Sequence, residues 1–306
     1  ALIESAVSSN RIEGVEVDNS RIATIVFGEP LLRDRNEEEV RGYRQALTLI
    51  HEQGAKLPIS EETILRLHLL TRGEIWDAGK YKEKDGDIIE KFPNGRSRVR
   101  FKTGRASDTP ICMKELVELY DDVVKERKIP PLVILTAFNL DFLCIHPFRD
   151  GNGRVSRLLL LMQCFHLGFE VGRYISLERL IEQNKERYYE TLEQSSHGWH
   201  ECKHDPWPYI NYTLFIIKTA YREFEQRLGQ LQSPKGEKTS LVIQAIDRAL
   251  GPFSIAELRN ACPNVSVDMI RRVLKNLRSE NRVECLGRGQ NAKWRKTGKW
   301  QLGNTQ

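Results

Sequence analysis

The 306-residue sequence has few of the features that mark membrane, secreted or disulfide-stabilised proteins. Its longest apolar stretches, at 131–148 and 158–169, are interrupted by polar residues before they reach the length of a bilayer-spanning helix. The N-terminus has no basic segment followed by an apolar core, which argues against a secretory signal. The six cysteines are scattered without a CxxC pair, so we expect free thiols. These absences predict a cytoplasmic protein.

Positive charge is concentrated at one end of the chain. Residues 240–306 contain 12 Lys and Arg against 5 Asp and Glu, whereas the rest of the chain contains 35 against 37. A basic end predicts an acidic partner, and nucleic acid is the first candidate.

Apolar residues recur at intervals of three or four through most of residues 1–228, which predicts a mainly α domain with few strands. Polar residues that favour helix starts precede these patterns. The predicted starts are Asn36, with Glu39 completing a capping box, Ser60, Thr109 before Pro110, and Asp205 before Pro206. We therefore expect long core helices.

Residues 87–102 break the helical pattern. The stretches DIIEKF and SRVRFK surround Pro93-Asn94-Gly95-Arg96, and Asn-Gly suits a tight turn because both residues tolerate positive φ. We predict a β-hairpin, which must lean on helices or on a ligand because two strands alone are marginally stable. A surface hairpin without function is the alternative.

The polar stretch at 229–240 contains Gly and Pro, and it predicts a linker between a first domain at 1–228 and a second at 241–306. In the second domain, Ser254 and Glu257 form a candidate capping box and Ser266 can cap a further helix. Two short strand patterns around a glycine-rich tip follow. Three helices and then a hairpin are the order of a winged helix-turn-helix domain.

The strongest chemical signal is HPFRDGNGRVSR, at residues 146–157. It lies between two apolar helical patterns, so it predicts a loop that leads into a helix N-terminus, where free N–H groups and the helix dipole attract an anion. Gly151 and Gly153 let a phosphate approach the backbone closely. Arg154 and Arg157 are three residues apart and share one helical face. The segment therefore predicts a phosphate site with two cationic side chains.

His146 is a candidate general base beside this phosphate site, and Asp150 is a hard carboxylate suited to Mg²⁺. The segment resembles the signature of the Fic family, HPFx[DE]GNGRxxR, at every specified position. Nine fixed residues make chance agreement implausible. The plain alternative, a loop histidine with solvated arginines, is disfavoured by this match.

The resemblance implies a helical Fic domain that acts as a protein adenylyltransferase, moving AMP from ATP to a Tyr, Thr or Ser hydroxyl of a protein. His146 would deprotonate the hydroxyl, and Asp150 would hold the Mg²⁺ that bridges the phosphates. The residues implied to bind phosphate are Gly151, Asn152, Gly153, Arg154 and Arg157. The hairpin would be a flap on which a target segment docks by β-strand addition. Because some relatives also remove AMP, hydrolysis stays an alternative.

A second match precedes the catalytic segment. Residues 9–14, SNRIEG, resemble the family's inhibitory motif [ST]xxxE[GN]. Ser9 and Glu13 are four residues apart and so share a helical face, from which Glu13 can pair with Arg157. The resemblance implies that the enzyme restrains itself by taking the arginine that would hold the γ-phosphate. A glutamate that only caps a helix is the alternative.

The resemblance extends to GKYK at 79–82, to the hairpin, and to the segment where family members hold the nucleoside. In that segment the candidates are Tyr188, Tyr189 and Ser196, with core packing by the tyrosines as the alternative.

Four possible metal ligands follow: His197, His200, Cys202 and His204. Their spacing matches no standard zinc finger, and a helix start at Asp205-Pro206 follows at once, so a polar loop is favoured over a zinc site.

The second domain raises a second function class, a DNA-binding regulator. Its predicted recognition helix, 267–279, and the following wing offer several cations for phosphate or base contacts. These are Arg271, Arg272, Lys275, Arg278 and, on the wing, Arg288. Helix-turn-helix domains also serve in protein docking and dimerisation, so a protein partner or a homo-oligomer stays open.

Overall fold

The computed structural model describes residues 1–28, 31–73, 75–91, 95–232, 237–249, 251–287, 289 and 292–300. The chain divides into two compact units, Ala1–Glu225 and Gln226–Gln306. Helices dominate the secondary structure of these residues, so the prediction of a mainly α fold is confirmed. Within the same ranges, no helix has the length and apolar character needed to cross a membrane.

Four helices open the first unit: α1 (Leu2–Ile12), α2 (Asn19–Phe27), α3 (Arg35–Gln53) and α4 (Glu61–Arg72). The Ser60 hydroxyl caps α4, as predicted. The cap predicted at Asn36 is wrong, because Asp34 starts α3 earlier and accepts a hydrogen bond from the Glu37 N–H at 2.9 Å. Glu39 is therefore free of a capping role, and its side chain is buried.

Strands β1 (Asp87–Lys91) and β2 (Ser97–Lys102) form the predicted antiparallel hairpin. Residues 92–94, which include Pro93 and Asn94 of the predicted turn, lie outside the described residues.

Six helices complete the first unit: α5 (Thr109–Glu126), α6 (Pro131–Ile145), α7 (Asn152–His166), α8 (Leu177–Gln183), α9 (Lys185–Ser196) and α10 (Trp207–Gln232), the last of which continues beyond Glu225. Helices α6 and α7 supply much of the buried apolar core. The cap predicted at Thr109 is shifted by one residue, because its hydroxyl donates to the Arg105 carbonyl and Asp108 takes the cap position. At α10, Asp205 accepts from the Trp207 N–H, as expected.

The second unit has its own apolar core. Its elements are α11 (Glu237–Arg248), β3 (Phe253–Ser254), α12 (Ile255–Ala261), α13 (Val267–Ser279), β4 (Val283–Cys285) and β5 (Lys293–Lys296), with strand order β3-β5-β4. The capping box of Ser254 and Glu257 is present, and Ser266 caps α13. The assignment of a winged helix-turn-helix stays a prediction.

The linker predicted at 229–240 is helical wherever the structure describes it. Residues 229–232 end α10 and residues 237–240 begin α11, while 233–236 lie outside the described residues. Gly229 lies in the last turn of α10, where a glycine destabilises a helix by only about 1 kcal/mol. The polar composition of this stretch therefore did not show that α10 continues through it.

Candidate active site

The loop between α6 and α7 is closed by Asn152. The side-chain oxygen of Asn152 accepts from the Phe148 N–H at 2.9 Å, and its amide donates to the Phe148 carbonyl at 2.8 Å. Phe148 is buried and stacks on the His68 ring with 3.7 Å between centroids. The side chain of Asn152 therefore shapes the loop, and its part in binding phosphate stays a prediction.

His146 follows α6 with a left-handed backbone, at φ 53°. Its Nδ1 lies 3.3 Å from the Leu143 carbonyl oxygen. Because a carbonyl can only accept, Nδ1 carries the proton and the Nε2 lone pair is available. Burial lowers the pKa of His146 to about 4, and the charge of Lys82 acts in the same direction. The imidazole is therefore neutral near pH 7 and able to accept a proton.

Two predicted residues, Ser9 in α1 and Glu13 directly after its end, meet the cation predicted on α7. Arg157 donates from Nε to Ser9 Oγ at 2.8 Å and from Nη2 to the Ser9 carbonyl at 2.9 Å. The same Nη2 contacts Glu13 Oε1 at 2.7 Å. The other terminal nitrogen, Nη1, is buried and has no hydrogen-bond partner among the described residues. One edge of the guanidinium is thus occupied by α1, and the other has an unsatisfied donor.

Glu13 also reaches the N-terminus of α7. A Cβ built on Gly153 would meet Glu13 Oε1 and would lie 3.2 Å from Arg157 Nη1, so a side chain here would displace the Glu13 carboxylate. The preceding Gly151 has φ +85°, a left-handed conformation that also favours glycine. The Glu13 carboxylate therefore lies where the helix end and the arginine would attract an anion.

Arg154 is placed differently from Arg157. Its Nη1 contacts Glu39 Oε2 at 2.7 Å and Asn10 Oδ1 at 3.3 Å, and its side chain is 2% exposed. Glu39 also pairs with Arg72 and Arg35. Buried pairing with Glu39 therefore holds the guanidinium of Arg154 inside the protein, and the predicted contact of Arg154 with phosphate stays a prediction.

Asp150 lies at the half-exposed mouth of this charge network. Its Oδ1 accepts from the Gly151 N–H at 2.6 Å, and its Oδ2 contacts Arg72 at 2.8 Å and Arg35 at 3.3 Å. Burial raises the pKa of Asp150, but the charges of Arg72 and Arg154 outweigh it and lower the pKa below its usual value. The side chain is therefore an ionised carboxylate.

The donor set around Asp150 fits a Mg²⁺ that arrives with a nucleotide. No group of three or more metal-ligating side chains exists in the described part of the chain. Mg²⁺ commonly takes one or two protein carboxylates and completes its shell with substrate phosphates and water. A single exposed carboxylate beside a phosphate site meets that requirement.

A cavity of about 420 Å³ adjoins these residues. Its lining includes Glu13, Arg100, His146, Gly153, Tyr189 and Ser196. This volume suits a small-molecule ligand. The cavity thus brings together the candidate base, the anion site and the hairpin.

The nucleoside candidates have unequal access to this cavity. Tyr188 lines it but is 3% exposed and packs against Tyr209 and Tyr212, so most of its ring belongs to the core. Tyr189 is half-buried, and its hydroxyl donates to the Ile12 carbonyl at 3.3 Å. Ser196 also lines the cavity. Their adjacency in sequence did not show which ring faces the cavity.

The His and Cys residues after α9 do not gather into a described metal site. His200 instead contacts the Lys102 carbonyl at 2.7 Å, and its ring stacks on Phe101. This segment therefore supports the second strand of the hairpin, as a polar loop.

On α13, the DNA-binding candidates lie opposite the buried face formed by Ile270, Val273, Leu274 and Leu277. The exposed candidates are Arg271, Arg272, Lys275 and Arg278. Arg288 lies outside the described residues.

The sequence interpretation missed Glu39, Arg72 and Lys82 as residues of the site. Glu39 and Arg72 lie in ordinary amphipathic helices, where a charged residue usually faces solvent, so no local pattern marked them. Lys82 was included only as part of GKYK.

Comparison with known proteins finds similarity to one family. Residues 58–164 match the model of the Fic/DOC family. A protein adenylyltransferase Fic of Nematostella vectensis is 25% identical over 213 residues, covering 65% of this chain and 44% of that protein. A Fido domain-containing protein of Dictyostelium discoideum is 33% identical over 93 residues, covering 28% of this chain and 62% of that protein. The chain thus spans about half the length of these two relatives.

Solved structures share the fold. A Fic family protein from Desulfovibrio desulfuricans superposes with a TM-score of 0.59 and 22% identity, covering 97% of this chain and 86% of that one. A Fic domain containing signaling protein from Bacteroides thetaiotaomicron gives a TM-score of 0.57 and 22% identity, covering 72% and 84%.

Proposed function

Because this chain contains a Fic/DOC family domain, we propose that it is a protein adenylyltransferase, which moves AMP from ATP to a protein hydroxyl and releases pyrophosphate. The observation that carries the proposal is the position of the neutral His146 on the same cavity as Gly153, at the N-terminus of α7. Attack of a hydroxyl on a phosphate requires a base that accepts the proton and a site that binds the phosphate. The adenylyltransferase name of the Nematostella relative supports the same reaction.

In the proposed reaction, the Nε2 lone pair of His146 takes the proton of the target hydroxyl. The hydroxyl oxygen bonds to the α-phosphorus, and the bond from that phosphorus to the oxygen bridging the β-phosphate breaks. Pyrophosphate leaves with the electron pair, and His146 later returns its proton to solvent. The negative phosphates would raise the pKa of His146 from about 4 towards neutrality, which improves it as a base.

The phosphates would bind the N–H groups at the start of α7 and Arg157, whose Nη1 already lacks a partner among the described residues. Asp150 would hold Mg²⁺, whose charge offsets that of the leaving pyrophosphate. Arg154 would keep the loop in place through Glu39.

We propose further that a target segment docks on the hairpin. The sheet of β1 and β2 has two strands in the described chain, and Arg98 and Arg100 of β2 contact Glu193 of α9. Among the described residues β1 pairs only with β2, so its other edge can accept an added strand. Main-chain pairing of this kind selects weakly for sequence.

Replacing Asp150 with alanine is expected to weaken the Mg²⁺-dependent part of ATP affinity by about tenfold, because the protein ligand of the ion is lost. Calorimetric titration of ATP with and without Mg²⁺ measures this difference. Asp122→Ala, which removes an exposed carboxylate on α5, is the matched control. Equal Mg²⁺ dependence in Asp150→Ala and the parent would show that the metal is held elsewhere.

A second candidate function is DNA binding by the second unit. The favouring observation is the division of α13 into a buried apolar face and an exposed face rich in Arg and Lys. A helix of this kind suits contacts with DNA phosphates and base edges. DNA binding is compatible with catalysis by the first unit.

Reversing the charges of Arg271 and Lys275 to Glu is expected to weaken duplex binding severalfold and to reduce its salt slope by about two, since each lost phosphate contact removes roughly one released counterion. Fluorescence anisotropy at several salt concentrations measures both values. The control pair, Lys114→Glu with Lys125→Glu on α5, makes the same change in net charge. An unaltered affinity in the α13 variant would favour protein docking instead.

A further inference from the structure

Lys82 is a buried lysine that the reaction scheme above does not use. Its side chain is 7% exposed, and its Nζ contacts three oxygens. These are Thr103 Oγ1 at 2.9 Å, the Gly104 carbonyl at 2.6 Å and the Ile145 carbonyl at 3.0 Å. All three are neutral, and together they match the three N–H donors of an ammonium group.

The oxygens around Lys82 belong to two different parts of the site. Thr103 and Gly104 directly follow β2, so they form the exit of the hairpin. Ile145 ends α6 and precedes His146. The Gly104 N–H also donates to the Cys144 carbonyl at 3.1 Å, and a Cβ on Gly104 would lie 3.2 Å from the Ile145 oxygen. The exit of the hairpin therefore packs directly on the segment that carries the base.

Lys82 also holds the chain beyond His146. Its backbone N–H donates to the Pro147 carbonyl at 2.8 Å, while its side chain holds the Ile145 carbonyl. His146 itself has the left-handed φ of 53°, which is unfavourable for a residue with a side chain. The surrounding contacts must stabilise that conformation. Lys82 supplies one contact to the residue before His146 and one to the residue after it.

We propose that Lys82 is a positioning residue that fixes His146 relative to the exit of the hairpin. A target segment docked on the hairpin is then held at a fixed position relative to the base. This inference rests on the proposed adenylyltransferase function. It assigns to Lys82 the alignment of the acceptor hydroxyl with His146, and no direct contact with ATP.

The protonation of Lys82 gives the proposal a distinctive signature. Burial lowers the pKa of Lys82 to about 8, although the charge of Asp85 raises it in part. His146 lines the same cavity as Lys82, and its pKa is already depressed by burial. Above about pH 8 the neutral amine retains two N–H donors for three acceptors. Alignment, and with it transfer, should therefore weaken as the pH rises through this value.

The test compares Lys82→Met, which removes all three donors, with Lys82→Arg, which keeps a charge at alkaline pH. Lys80→Met makes the same change at an exposed lysine of the same segment and is the control. We expect Lys82→Met to lower self-adenylylation about fivefold and to leave ATP affinity within about twofold of the parent. Lys82→Arg should retain most activity at pH 7 and lack the decline above pH 8 that the parent shows.

Hydrogen exchange provides a readout that does not depend on activity. In Lys82→Met, the amides of residues 100–106, 144–146 and 148 should exchange faster than in the parent and in Lys80→Met. If neither the parent nor Glu13→Gly transfers AMP, the proposed function fails while exchange still tests the role of Lys82. Parent-like exchange in Lys82→Met overturns the inference, and so does an alkaline decline in Lys82→Arg equal to that of the parent.

Discussion

The variant His146→Ala is expected to lose AMP transfer while it keeps ATP affinity close to that of the parent. The imidazole removes a proton from the acceptor hydroxyl, and the contacts expected for ATP come from the start of α7 and Arg157. Loss of a general base commonly lowers the rate by about 10²–10⁴-fold. Incorporation of labelled AMP into the chain, measured beside calorimetric ATP binding, separates the two effects.

His197→Ala is the matched control, because His197 is an exposed histidine that does not line the cavity. Its transfer rate should equal that of the parent. Full transfer by folded His146→Ala would rule out the proposed role of the imidazole.

The part of the site that could be predicted from the sequence is encoded locally. The loop at 146–157 carries its base, glycines and arginine in one short segment, and Ser9 and Glu13 need only one helical turn to share a face. The strands of the hairpin and the cap at Ser60 likewise depend on neighbouring residues. Short-range patterns of this kind fix local geometry before tertiary packing contributes.

The part that could not be predicted depends on packing between distant helices. Glu39 meets Arg154 across 115 positions of the chain, and Arg72 meets Asp150 across 78. No local spacing indicates which of many charges will be buried against each other. The choice between Asp34 and Asn36 as the cap of α3 was also open, since both side chains favour that position and only two residues separate them.

The buried face of α1 consists mostly of small and polar side chains, which suits the inhibitory role expected for this segment. Its buried residues are Ser5, Ala6, Ser8, Ser9, Asn10 and Ile12, of which only Ile12 is a large apolar side chain. Ser5 Oγ donates to Glu178 at 2.6 Å, and Asn10 contacts Arg154. Each such hydrogen bond stabilises by only about 0.5–1.5 kcal/mol. Inhibition by α1 should therefore depend strongly on the ion pair between Glu13 and Arg157.

Replacing Glu13 with glycine is accordingly expected to raise self-adenylylation by about 10–100-fold. In the parent, the carboxylate lies over Gly153 and holds Arg157, so an ATP molecule would bind with its outer phosphate displaced. The α-phosphate would then be misaligned for in-line attack, and misplacement by about 1 Å can cost 10²-fold in rate. Mass spectrometry of the protein after incubation with Mg-ATP measures the gain. Glu16→Gly, which removes an exposed carboxylate three residues later, should show none.

Adding Arg157→Ala to Glu13→Gly should cancel the gain, because the released arginine is the group that would hold the γ-phosphate. Arg157→Lys in the same background keeps a charge without the planar fork and should recover only part of the activity. Activity in the double variant equal to that of Glu13→Gly would exclude Arg157 as the responsible group. If Glu13→Gly is folded, binds ATP and is no faster than the parent, α1 has only a structural role. If it is slower, the carboxylate assists the reaction by placing a water molecule, and AMP removal becomes the better account of this site.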